Sequence, residues 1–291
     1  MTTFETPSPI AVTVELGIGD LLIAAGDRTD TVVDVRPSDP TKTADVVAAE
    51  RVRVEYEDGR LLVKATRAWK QYTPRGGREA IDVRIDVPAG SQVHGEGGIV
   101  TMRGTGRLGE CRYKTGVGDI RIEHAGSVEL KTGSGNISVE RAVGRAAITT
   151  SSGVLRIGTI DGPAVIKNSN GHTHIDGVTG DLRVNAANGT ITVDQAEAGV
   201  EAKTSNGDVR LGELAHGTAL VQTAYGQVDV GIRQGVVAWL DLVTGFGSVQ
   251  NDLDTAEGPT TGEDTIEVRA RTAFGDITIH RSSADDWKGA A

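Results

Sequence analysis

The chain repeats one short phrase, and this limits what it can fold into more than any other feature. Lys114-Thr-Gly-Val-Gly-Asp-Ile-Arg-Ile122 returns as Lys131-Thr-Gly-Ser-Gly-Asn-Ile-Ser-Val139. Further copies are Thr150-Ser-Ser-Gly-Val-Leu-Arg-Ile157, Asn168-Ser-Asn-Gly-His-Thr-His-Ile175, Ala186-Ala-Asn-Gly-Thr-Ile-Thr-Val193 and Thr204-Ser-Asn-Gly-Asp-Val-Arg-Leu211. Their glycines, Gly118, Gly135, Gly153, Gly171, Gly189 and Gly207, are spaced by 17 residues and then four times by 18. A constant period of this length marks a repeat architecture with one supersecondary unit per period.

Each period holds two short runs that alternate apolar and polar residues, such as Val128-Glu-Leu-Lys-Thr132 and Ile137-Ser-Val139. Such alternation predicts strands with one buried face. Between the runs the corner reads Thr, a small residue, a variable residue and Gly. The glycine position calls for positive φ or a close backbone approach. One unit of this size buries too little to offset the entropy of ordering itself. Stacking coil on coil shares the core and pairs every strand with those above and below. The expected fold is therefore all-β: a parallel β-solenoid (β-helix) of about 18-residue coils with an elaborated N-terminal β cap. Asn-Gly between apolar strands also signals hairpins, but the constant period and the uniformly small corner residue favour stacked coils.

On this reading residues 1–90 form the N-terminal β region and cap, 91–281 the solenoid repeats, and 282–291 a disordered tail. Leu16-Gly-Ile-Gly-Asp-Leu-Leu-Ile23 is an early corner, and Asp58-Gly-Arg-Leu-Leu-Val63 a weaker echo of it. Thr43 to Glu50 fits a short helix or a loop, and Trp69 to Arg78 reads as an exposed loop. Later corners, at Thr223-Ala-Tyr-Gly226, Thr244-Gly-Phe-Gly247 and Thr272-Ala-Phe-Gly275, are more widely spaced. An acidic insertion from Asp252 to Asp264 lies between the last two.

Aromatics are only 3% of the residues and glycines number 39, which suits a thin, β-branched core. A net charge of -10 argues against nucleic-acid partners. The single cysteine, Cys111, rules out an intrachain disulfide and reads as a small core residue. No apolar run reaches membrane-spanning length, and the opening residues lack a basic and an apolar region, so a soluble, cytoplasmic chain without membrane insertion is expected.

The repeat, the Gly-Asp-Leu-Leu-Ile opening and the Asp86-Val-Pro-Ala-Gly90 step resemble the bacterial putative-adhesin family of β-strand-repeat proteins, over roughly residues 10 to 280. That family's biochemical function is undefined. The resemblance implies a solenoid and an association with the cell envelope, and it supplies no catalytic residue.

Stacking turns each corner position into a column. The variable position yields an amide ladder of Asn170, Asn188 and Asn206. It then yields Tyr225, Phe246 and Phe274, which form either a terminal core or, if exposed, a row for stacking sugars or docking a partner. Outward basic positions, Lys114, Lys131, Lys167 and Lys203 with Arg121, Arg156 and Arg210, read as a solvated face. Glu123, Glu140, Asp161, Asp176 and Asp194 form an offset acidic row. Calcium-binding β-rolls need a carboxylate in each half-coil, but Asn136, His172, Thr190 and Gln227 stand where Asp119 and Asp208 recur. His172 and His174 have no further ligands beside them in the sequence, so they make no zinc site, and no metal or other cofactor is expected. No acid, base and nucleophile stand out together above the repeat. The expected role is a non-catalytic scaffold or binding module for an unidentified protein or glycan, as a monomer or small homo-oligomer. The alternative is a carbohydrate-binding or carbohydrate-active protein using the acidic or aromatic row.

Overall fold

The computed structural model describes residues 1–65, 79–253 and 265–282. It is almost wholly β, and its repeats stack as parallel strands, so the hairpin alternative falls away. The loop expected at Trp69 to Arg78, the tail after Ser282 and all of the acidic insertion beyond Leu253 lie outside the described residues. The chain divides into two compact units, Met1–Val143 and Gly144–Ala291.

In the second unit a coil consists of two strands, for example Ala164–Asn170 and Thr173–Val178. The next coil repeats them one strand spacing away, with Ile166 opposite Val184 and Ile175 opposite Val193. Alternation then stacks like on like. Ile148, Ile166, Val184, Ala202 and Val221 form one inward column, and Ile157, Ile175, Val193, Leu211 and Val230 another. None of the ten is more than 1% exposed. Burying each of the larger ones contributes about 1.5–3 kcal/mol, and β-branched side chains suit the narrow space between two facing strands.

The corner's recurrent threonine has a physical reason. Its side chain points inward, where a hydroxyl must find a partner, and it donates to the glycine carbonyl of a neighbouring coil. Thr132 donates to Gly118 at 3.1 Å, Thr223 to Gly207 at 3.0 Å and Thr272 to Gly226 at 3.1 Å. Asn168 replaces threonine in one coil, and its amide reaches the carbonyls of both Gly153 and Gly171.

The C-terminal coils do not stack in chain order. Thr265–Phe274 lies between Gly217–Tyr225 and Val237–Phe246, parallel to both. Burial explains the exchange. The inward residues Ile266, Val268 and Ala270 are at most 2% exposed in that inner place, whereas Leu240 and Leu242 of the outer strand are only half-buried. Among the described residues, Val237–Phe246 pairs on one side alone.

In the first unit Ala11–Gly26 is a whole coil, turning at Gly19 (φ 138°) and pairing in parallel with Gln92–Leu108. The Asp58-Gly59 echo is not a corner. With φ of 48° and 75° it makes the tight turn of an antiparallel hairpin, Arg53–Glu57 with Arg60–Lys64, as Asp-Gly favours. Arg60–Lys64 then joins the parallel stack against Ala11–Glu15. Thr2–Glu5 and Asp30–Pro37 are also antiparallel additions, and Phe4 meets Tyr56 at 5.2 Å between ring centroids. Turned against the stack, such strands blunt a sheet edge that would otherwise recruit another chain. Thr43–Glu50 is a helix; its buried Asp45 accepts the Ala80 and Asp39 amides.

Candidate functional site

The corner column of the second unit forms the two ladders its sequence implies. Asn188 donates to the side-chain oxygen of Asn170 at 2.8 Å, and Asn206 to that of Asn188 at 2.9 Å. These amides are spent largely on one another, which makes them a spine rather than a reading surface. Tyr225 follows Asn206 in the column. Its ring stacks on Phe274 at 4.9 Å with planes 1° apart, and Phe274 stacks on Phe246 at 4.9 Å and 6°.

These aromatics are not a buried cap: Tyr225 is 57% exposed, Phe274 43% and Phe246 70%. Nor are they an open row of faces. A sugar between two rings would need about 7 Å, twice an aromatic contact distance, and the stack leaves 4.9 Å. What it offers is a ridge of ring edges plus the outer face of Phe246 on the last paired strand. Trp239, 59% exposed, lies on the same strand with Arg269 6.0 Å from its ring centroid.

The basic row is interrupted by its register: Lys131 lies beside Lys114, but Thr149 lies beside Lys167, and Asn185 separates Lys167 from Lys203. Glu201 holds Lys203 at 2.6 Å and Arg183 at 2.7 Å, and Arg112 holds Glu129 at 2.9 Å. Pairs of this kind on an exposed face contribute little. The acidic row also breaks. The register of Ile157 with Ile175 sets Gly158, not Asp161, beside Asp176, and Asp161 falls in the turn after its strand. Glu123 accepts the Gly106 amide at 2.7 Å.

Corner carboxylates serve the backbone. Asp119 accepts the Asn136 amide at 2.8 Å, Asp208 the Gln227 amide at 2.9 Å, and Asp276 the Ser248 amide at 2.7 Å. The Ser248 amide and hydroxyl together hold the Asp276 carboxyl below its ordinary range. His172 takes the same part, its Nδ1 accepting the Thr190 amide at 3.2 Å. Aspartate recurs at this position to close the next coil's corner.

One cluster escaped the sequence reading. His174 Nε2 lies 3.0 Å from Asp176 Oδ1 and 3.5 Å from Asp194 Oδ2. Burial, with Asp176 nearby, raises the Asp194 carboxyl's pKa, while His174 opposes the shift. The signal was present in the numbering: with 18 residues per coil, a residue 20 positions after His174 sits beside one 2 positions after it.

Cys111 is fully buried, and burial pushes its thiol up to about 12. It should resist a thiol-labelling reagent at pH 8 in the folded protein and react fully in denaturant. Rapid stoichiometric labelling of the native chain would contradict its placement in the core.

A family model, Toastrack DUF4097, matches residues 12–285, and the chain belongs to that family. Two solved structures are similar to it. A putative adhesin from Bacteroides fragilis is 13% identical, covers 96% of each chain and has a TM-score of 0.39. A putative adhesin from Parabacteroides merdae is 13% identical, covers 97% of this chain and 95% of its own, and has a TM-score of 0.36. Likeness at this level says nothing of activity. No curated protein matches the chain. Among the described residues no helix is long and apolar enough to cross a membrane.

Proposed function

We propose that this chain is a non-catalytic binding module, a β-solenoid whose second unit presents the Tyr225–Phe274–Phe246 ridge to a protein or glycan partner at the cell envelope. The observation that carries the reading is the exposure of three stacked aromatics on the last coils. Rings held by one another lose little conformational freedom on binding, and rigid aromatics anchor interfaces disproportionately. A carbohydrate ligand is the second reading, favoured by the outer face of Phe246, which can take one sugar ring.

The test uses the full chain and Phe246→Ser, first on a glycan array and then in capture from envelope extracts of the native cell. Truncating an anchor typically costs 2 kcal/mol or more, roughly 30-fold in affinity. The stack itself contributes about 1 kcal/mol to folding, so the variant should melt within a few degrees of the parent. Equal capture by both proteins would defeat the ridge as the contact surface. Turnover of an acidic polysaccharide that is lost on changing Asp176 would defeat the non-catalytic reading.

A further inference from the structure

The His174, Asp176 and Asp194 cluster lies apart from the aromatic ridge and does not serve the backbone as the corner carboxylates do. His174 and Asp176 are two apart on the strand Thr173–Val178, so both point outward. Asp194 is on the neighbouring strand Ile191–Ala196, beside Asp176, because Ile175 lies opposite Val193. Both of those residues are buried to within 1%, so a packed core beneath sets the cluster's register.

We propose that His174 Nε2 and one carboxylate oxygen each from Asp176 and Asp194 bind a divalent transition-metal ion of the zinc type. The three ligand atoms lie within 4.8 Å of one another. Ligands about 2.1 Å from such an ion stand about 3.0 Å apart in an octahedron and about 3.4 Å apart in a tetrahedron. The two imidazole–carboxylate separations, 3.0 and 3.5 Å, already match. Rotating one exposed carboxylate closes the third edge.

Charge and ligand chemistry select the ion. Two carboxylates balance a divalent cation, and the ion would relieve the crowding of two carboxylates beside each other. Arg156, opposite His174 on the preceding coil, adds an opposing positive charge, and Thr192, opposite on the following one, adds none. A weakly held hard cation such as Ca²⁺ or Mg²⁺ prefers more oxygen ligands than the cluster offers, whereas imidazole suits Zn²⁺. Three protein ligands leave coordination positions for water or a partner's carboxylate. The rival account is an imidazolium bridging two carboxylates with no ion involved.

Calorimetric titration of the chelator-stripped full chain with ZnCl₂, CaCl₂ and MgCl₂ separates the two. The expected result is one Zn²⁺ per chain with micromolar affinity, at least 10-fold tighter than Ca²⁺ or Mg²⁺. Asp176→Asn and His174→Gln should each weaken Zn²⁺ binding by 10- to 100-fold, whereas His172→Gln should not. Melting curves report whether each variant is folded, and the parent titration decides even if a variant is not. The proposal is overturned by no Zn²⁺ binding at 1 mM, by equal affinity for Ca²⁺, or by unchanged Zn²⁺ affinity in folded Asp176→Asn and His174→Gln.

Discussion

Gly189→Val is expected to be among the most damaging single substitutions in the chain, costing about 4 kcal/mol and lowering the melting temperature by roughly 10 °C. The backbone at Gly189 has φ of 134°, which a β-branched residue adopts only under strain. A Cβ there would also overlap the carbonyl oxygen of Gly171 and stand 2.6 Å from its carbonyl carbon. That carbonyl belongs to the preceding coil's backbone, so a side-chain rotation cannot relieve the contact. Strain and overpacking each cost about 1–3 kcal/mol, and here they coincide. Gly171→Val should behave alike, because Gly171 stands in the same relation to Gly153. Thr190→Ala, one residue along, keeps the amide that His172 accepts and should shift stability by less than about 0.5 kcal/mol. Urea titration of the three variants checks the ranking. A Gly189→Val protein as stable as Thr190→Ala would mean the corner is elsewhere.

Much of this architecture was legible because a fixed period converts sequence distance into spatial neighbourhood. Once Gly171, Gly189 and Gly207 are recognised as equivalent, Asn170, Asn188 and Asn206 must share a column, and the hydrogen bonds between them follow. Tyr225, Phe246 and Phe274 were placed in one column by the same rule. Their order was not legible, since equivalence within a coil says nothing about which coil lies inside. That depended on Ile266, Val268 and Ala270 filling the narrow core more completely than the Trp239-bearing strand does. Asp58-Gly59 misled for the opposite reason: a local turn signal outweighed a likeness to the repeat. The His174 cluster was missed because alternation along one strand was weighed without the strand beside it.

Tyr113 shows what pattern reading leaves invisible, and replacing it should separate its ring from its hydroxyl. The residue is 1% exposed, opposite Gly95 and Leu130 on the adjoining strands. Its ring occupies the space that side chains at two glycines would fill. A Cβ on Gly95 would stand 2.7 Å from the ring, and one on Gly97 would stand 2.7 Å from the hydroxyl. Tyr113→Ala should therefore cost about 3–5 kcal/mol, the usual penalty for emptying a buried aromatic site. The hydroxyl is buried without a hydrogen-bond partner among the described residues, and burial raises the phenol's pKa. Removing an unsatisfied buried donor releases its desolvation penalty, so Tyr113→Phe should stabilise the chain by about 1 kcal/mol. Gly95→Ala should destabilise the parent, because its new methyl meets the ring. In the Tyr113→Ala background the same methyl enters the vacated space and should cost less. The non-additivity in that double-mutant cycle measures the fit directly. If Tyr113→Phe instead loses 1 kcal/mol or more, the hydroxyl has a partner and the ring is held by a polar contact as well as by packing.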